Sequence, residues 1–288
     1  MNPLRFEAPT PLQYFATLVA DDGHFSLVEA AISVGQDDEP GLDVQSVLSQ
    51  IDVLAARLAK RLAADAGAMH RLRCLNRFFF EELGFAGNVN DYYHPHNSYL
   101  HRVVETRRGI PITLALIYLE IAGQVGLDAR GVSFPAHYLV KLKLPQGEAV
   151  IDPLTGQSLT RDALEERLAP YRQQQGLVGD FEAPLGLFLQ SASPRETLAR
   201  LLRNLKEIHR SSDDLSRLLS VQERLVLLLP DAWEERRDRG LLQARLGNLP
   251  AAAEDLSTYL GQRPQAPDAA GITARLQDVR RGLQPRLH

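Results

Sequence analysis

One cysteine in 288 residues, Cys74, already removes two classes of protein. A disulfide framework within the chain cannot form, and neither can a zinc site built from cysteines. Both absences fit a reducing compartment. Neither sign of charge is in large excess. The 32 Lys and Arg nearly balance the 36 Asp and Glu, for a net charge of −4, so the chain has no electrostatic footprint for nucleic acid or an anionic membrane. Long apolar runs are missing as well. Near the N-terminus Arg5 and Glu7 precede FATLVA, which Asp21 and Asp22 cut short. No signal peptide is legible there, and nowhere do apolar residues run for the roughly 18–20 positions that span a bilayer. A cytoplasmic protein without nucleic-acid or membrane partners is expected.

What is present is a helical chain interrupted by one small sheet. LVEAAISV (27–34), VLSQIDVLAARLAKRLAADA (47–66) and MHRLRCLNRFFFEELGF (69–85) place apolar residues at three- and four-residue spacing. GNVNDYYHPHNSYL (87–100) reads as a loop whose Asn97 or Ser98 caps the next helix. The segment 111–125 is apolar all round and opens on Pro111, so it predicts a helix at the centre of a domain. Strand patterns follow in ARGVSF, HYLVKLKL and EAVIDPL, with PQG as turn chemistry. Face alternation and a Lys143–Glu148 charge pair favour a register that sets Lys141 against Val150 and Leu139 against Asp152. That register makes His137 and Asp152 diagonal neighbours. Helix returns after about Arg161, with YRQQQGLVGDFEAPLG (171–186) as a linker. Pro230 and Pro264 lie one tetratricopeptide period apart, Gly240 and Ala252 occupy small-residue positions, and Gly247-Asn248 forms the turn. Residues 199–232 read as a degenerate repeat, 266–283 as a capping helix, and EERRDR (234–239) as a solvated face.

A helix N-terminus beside strands bearing His and Asp is the arrangement of papain-like thiol enzymes, in which the helix end favours a thiolate and the acid orients the base. The motifs here resemble the transglutaminase core. Gly109 matches the glycine that precedes the nucleophile, and Gly126-Leu127-Asp128-Ala129-Arg130-Gly131-Val132 matches the following motif. His137 matches the base and Asp152-Pro153 the acid. The nucleophile position falls on Pro111. Proline has no nucleophile and no N–H to stabilise an oxyanion, yet suits the first helical position. Thr113 lies roughly 200° round the helix from that position and cannot replace the thiol. Cys74, within a helical pattern, reads as a buried inert thiol. Over nearly the whole chain, strings such as HNSYL, RRGIPITL, FPAHYLV and IDPLTG are similar to the bacterial SirB family. That resemblance implies a transglutaminase-like core, proline in place of cysteine, and a C-terminal tetratricopeptide segment.

The expected fold is therefore α+β. Residues 1–190 form a helix-rich papain/transglutaminase-like core with a small antiparallel sheet, and residues 191–288 an all-α tetratricopeptide-like segment. No catalytic residue is assigned. His137 and Asp152 are a relict pair holding two strands, a ligand-recognition pair, or a proton-transfer pair. Candidate binding residues are Asn97, Ser98, Arg107, Arg108, Thr113, His137 and Asp152. The two arginines and the free N–H groups of Ile112 and Thr113 offer a subsite for a small anionic ligand, against the plainer reading of a solvated turn. His94, His96, His101 and His137 lack convergent metal-ligand spacing, so no metal and no cofactor is expected. A non-catalytic scaffold or regulator that binds a protein or peptide is the leading expectation. The alternative is a cysteine-independent amide or ester hydrolase that uses His137 and Asp152.

Overall fold

The computed structural model describes residues 9–283 except 178, 180 and 181. Arg5, Glu7 and part of the expected linker lie outside the described residues. Two compact units share the chain: Asp22–Leu201, and the N-terminal residues to Asp21 together with those from Leu202 onward.

Helix α1 (Pro11–Leu18) opens on Thr10, whose hydroxyl accepts the Gln13 N–H while the Gln13 side chain accepts the Thr10 N–H. In the Asp22–Leu201 unit, α2 (Leu27–Ser33) precedes α3 (Val44–Ala59), which Asp43 caps through the N–H groups of Gln45 and Ser46. The periodicity predicted helix through residue 66, but α3 stops at Ala59. No residue from 60 to 67 is buried, and a helix without a packed face is marginal. Arg71 ties this turn down by donating to the carbonyls of Ala64 and Ala66 and to that of Val125. Helix α4 (Ala68–Asn76) runs on as a π-helical stretch, Arg77–Glu82. That stretch buries Phe78 and Phe79, and Phe79 stacks on Phe85 with ring centroids 4.3 Å apart.

Strand β1 (Ala86–Gly87), helix α5 (Leu100–Thr106) and strand β2 (Arg108–Gly109) lead into α6 (Pro111–Gln124). β1 and β2 pair in parallel. Every residue of α6 from Pro111 to Tyr118 is buried, and the helix packs on α3, α5 and the sheet. The sheet is antiparallel, β3 (Ala129–Val132), β4 (Leu139–Leu144) and β5 (Gly147–Ile151) in that order. Lys141 faces Val150 and Lys143 faces Glu148, the predicted register. The ion pair itself runs diagonally, from Lys141 to Glu148 at 3.4 Å. The sheet face that carries His137 and Asp152 is also apolar further along. Leu139 and Val150 are buried there with Leu164 and Leu168 of α7 (Arg161–Gln175) and Leu185 of α8 (Leu185–Phe188). Helix α9 (Pro194–Ser211) continues the chain out of this unit.

The second unit joins α1 to the later part of α9 and to α10 (Leu215–Leu228), α11 (Trp233–Arg245), α12 (Leu249–Gln262) and α13 (Ala269–Leu283). Phe15 of α1 is fully buried under the Arg224 guanidinium. The small residues act as predicted. A Cβ on Gly240 would lie 3.0 Å from Asp255 and Leu256 of α12, Ala252 is fully buried, and Gly247 turns the chain with φ of 80°. EERRDR is not a solvated face. Glu235 is buried with Lys206, Arg203 and Gln222 bonded to it, and Arg239 forms a two-pronged pair with buried Asp255. A helix sandwiched between neighbours turns part of its charged side inward, which sign alternation in a sequence does not show.

Candidate functional site

His137 sits at the end of a tight turn, its N–H donating to the Phe134 carbonyl at 3.1 Å. Ala136, between them, is held in the left-handed region with φ of 55°, an arrangement that tends to collect at functional or over-determined positions. Asp152 directly follows β5 and opens a second tight turn. Its backbone carbonyl accepts the N–H groups of Thr155 and Gly156, and its Oδ1 accepts the Leu154 N–H at 3.0 Å. Gly156 is required there, because its φ is 72° and a Cβ would fall 2.5 Å from the Phe80 ring.

These two turns bring His137 Nε2 to 2.9 Å from Asp152 Oδ1. Arg167 of α7 donates to Asp152 Oδ2 at 2.8 Å, a third member that the sequence reading missed. The signal that could have found it is a buried carboxylate in need of a cation, with Arg167 next to the buried Leu168 on a helix that follows the motif. Burial pushes the Asp152 carboxyl up, but the bonds from His137, Arg167 and the Leu154 N–H outweigh it and bring it down to about 2. An ionised carboxylate only accepts, so His137 carries its proton on Nε2 and presents Nδ1 as the remaining ring nitrogen. The acid is thus shared between an imidazole, a guanidinium and a backbone amide. It is a joint between β4, β5 and α7 as much as an orienter of the histidine.

At the other motif, Pro111 is the first residue of α6 and Ile110 its cap. The Asn97 carbonyl accepts both the Thr113 hydroxyl, at 2.8 Å, and the Ile110 N–H, at 3.3 Å. Thr113 Oγ1 in turn accepts the Ile110 N–H at 3.1 Å, and a Cβ on Gly109 would lie 2.7 Å from that hydroxyl. The helix start therefore holds a carbonyl oxygen of the chain itself. Asn97 and Ser98 do not cap α5, whose N-cap is Tyr99; they close a short 3-10 turn, Pro95–Ser98. The Asn97 amide donates to the carbonyls of Asp91 and Tyr92 and its oxygen accepts from Asn88, fixing the loop. Ser98 is buried, its hydroxyl without a hydrogen-bond partner. Arg107 lies over the Phe85 ring at 4.7 Å, and Arg108 donates to the Gly84 carbonyl at 2.6 Å. Asn97 and Thr113 thus form one group and His137 and Asp152 another, while Arg107 lies against Phe85 and Arg108 is bonded to the carbonyls of Gly84 and Arg107.

Among the described residues no three His, Cys, Asp or Glu side chains gather to hold a metal ion, and no helix is long and apolar enough to cross a membrane. His94 and His96 pack edge to face, and His101 is buried beside Asp38 and Glu39. Cys74 is partly exposed rather than buried, with Sγ 3.5 Å from His70 Nε2. Beside His137, Tyr138 is buried with its hydroxyl 2.8 Å from Thr197 Oγ1, and the Arg200 guanidinium lies over its ring while donating to the Ser133 hydroxyl and the Phe134 carbonyl. Gly131 makes this packing possible, since a Cβ there would lie 2.0 Å from the Tyr138 hydroxyl.

A buried helix packed on a sheet flanked by a His–Asp pair, followed by paired helices, defines a transglutaminase-like core joined to tetratricopeptide-like repeats. Comparison with known families agrees: residues 45–203 match the transglutaminase-like superfamily model, and residues 205–277 a tetratricopeptide repeat model. A protein named UPF0162 from Xylella fastidiosa strain 9a5c is 34% identical over 90% of this chain and 92% of its own length. Protein SirB1 of Salmonella typhimurium is 26% identical over 82% of this chain and 86% of its own. The chain belongs to the transglutaminase-like superfamily, within the UPF0162/SirB family.

Proposed function

We propose that this protein is a non-catalytic scaffold or regulator whose helical repeats bind a protein partner. The observation that carries the reading is Pro111. It occupies the first position of α6, where the superfamily motif calls for its thiol, and supplies neither nucleophile nor N–H. The repeat match supports the other half, because stacked helix pairs expose extended surfaces suited to proteins. The 2.9 Å His137–Asp152 contact keeps a second reading, a hydrolase that uses His137 as a base toward water.

The two are separated by capture of partners from cell lysate on full-length wild type and His137→Ala, run beside hydrolysis of p-nitrophenyl acetate and of a peptide amide. The scaffold reading expects unchanged partners and no His137-dependent turnover. Turnover that falls by orders of magnitude in His137→Ala establishes the hydrolase instead.

A further inference from the structure

Arg200 of α9 is a partly buried cation to which no acid is bonded among the described residues. Glu196, one turn earlier on the same helix, accepts the Ser193 N–H at 2.7 Å instead. Burial lowers the Arg200 pKa, and the groups that oppose it are the phenols of Tyr138 and Tyr92 rather than a carboxylate. A guanidinium drawn out of water ordinarily has an anion against it, because a buried charge without one is costly.

The group is held by one end. Nη1 donates to the Ser133 hydroxyl and to the Phe134 carbonyl, each at 2.8 Å, and that carbonyl also accepts the His137 N–H. The guanidinium carbon lies over the Tyr138 ring, 5.7 Å from its centroid. Nε and Nη2 donate to nothing in the chain, and neither is buried. These two nitrogens form the edge on which a guanidinium takes both oxygens of a carboxylate. Tyr92, on the 87–100 loop, is within electrostatic reach of Arg200 and is 43% exposed. Tyr93 braces its ring edge to face at 5.3 Å, and the Asn97 amide holds its backbone carbonyl.

We infer that Arg200 and Tyr92 form a subsite for a small aromatic carboxylic acid. Its carboxylate lies side-on to Nε and Nη2, and its ring packs on Tyr92. A phosphate dianion fits less well, because Arg200 brings one charge. A protein partner needs about 800 Å² on its side, whereas one guanidinium edge and one phenol ring match a single small acid. The subsite uses no member of the His137–Asp152–Arg167 group and calls for no turnover. It therefore goes beyond the scaffold reading and stands or falls apart from it.

The test is NMR, with the amide spectrum of the full chain titrated by phenylacetate. Phenylacetamide, of the same shape without the charge, and acetate, without the ring, are the controls. Saturable shifts centred on the Ser133, Phe134 and Tyr92 amides are expected, with each control at least tenfold weaker. Arg200→Gln should weaken phenylacetate at least tenfold, and Arg200→Lys, which keeps the charge but not the edge, by less. Tyr92→Ala, at an exposed loop position, should bring it down to the level of acetate. β4 amides that match wild type show that a variant keeps the fold, and the comparison of acid with amide needs no variant. Equal binding of phenylacetamide, shifts that do not saturate or that centre elsewhere, or unchanged affinity in Arg200→Gln overturns the inference. A peptide with a free C-terminal phenylalanine completes the set. If it binds more tightly than phenylacetate and loses that on amidation, the subsite takes a protein chain end, and the small acid is overturned.

Discussion

Replacing Asp152 by Asn keeps its shape and removes its charge. Asp152 is 5% exposed at its side chain, so solvent screens its interactions little. Its carboxyl lies at about 2, against an unfolded value near 3.9, and that gap corresponds to about 2–3 kcal/mol. The sign follows from linkage. A carboxyl depressed in the folded state contributes stability fully above about 3.9, and loses it as pH falls toward 2. Asp152→Asn should therefore cost about 2 kcal/mol at pH 7, somewhat under the full figure because the amide still accepts one bond. The single tryptophan, Trp233, lies in the repeat unit and does not report on this site. Hydrogen exchange of the β4 and β5 amides does. Wild type and variant compared at pH 7 should differ in protection by about 30-fold, and the difference should shrink to near nothing by pH 2. A difference that is absent at pH 7, or that persists unchanged at pH 2, refutes the assignment of Asp152 as a charged joint.

Other outcomes follow from the packing. Gly131→Ala sets a methyl against the Tyr138 hydroxyl and breaks its bond to Thr197, so urea denaturation followed by tyrosine absorbance should show a loss of about 2–5 kcal/mol. Asp255→Ala strands Arg239 inside the repeats and should cost about 3 kcal/mol, measured by Trp233 fluorescence. His101 is buried among Asp38, Glu39, Arg102 and His96; burial, reinforced by Arg102, depresses its pKa against the two carboxylates. The unfolded chain then takes up a proton before the folded one. The stability contributed by the neutral ring is full above about 6.5 and falls as pH drops through that value. Exchange of the 34–42 amides should accelerate relative to intrinsic rates between pH 7 and pH 5.5, and a His101→Leu variant should not show that change.

Much of the core was legible because its signals are local. Face alternation with one charged pair set the β4–β5 register to the residue, and an all-apolar segment behind a proline located α6. What was not legible depends on partners distant in sequence. Arg167 reaches Asp152 from 15 positions away, and Thr197 meets Tyr138 from 59, and neither contact leaves a periodic trace. The Lys143–Glu148 pair was inferred from opposition across the strands, but long side chains also reach diagonally and Lys141 took the bond. Asn97 and Ser98 are good capping residue types, yet Asn97 spends its amide on the preceding loop and the helix starts after Tyr99. The inward turn of Glu235 depended on where neighbouring helices stack, which residue type alone does not reveal.

The scaffold claim is tested most directly by photo-crosslinking in living cells, with a benzophenone amino acid placed in the full chain at Leu241 or at His137. Partner adducts formed from Leu241 and absent from His137 are the predicted result. Adducts formed from His137 and absent from Leu241 would contradict the account and place recognition in the core.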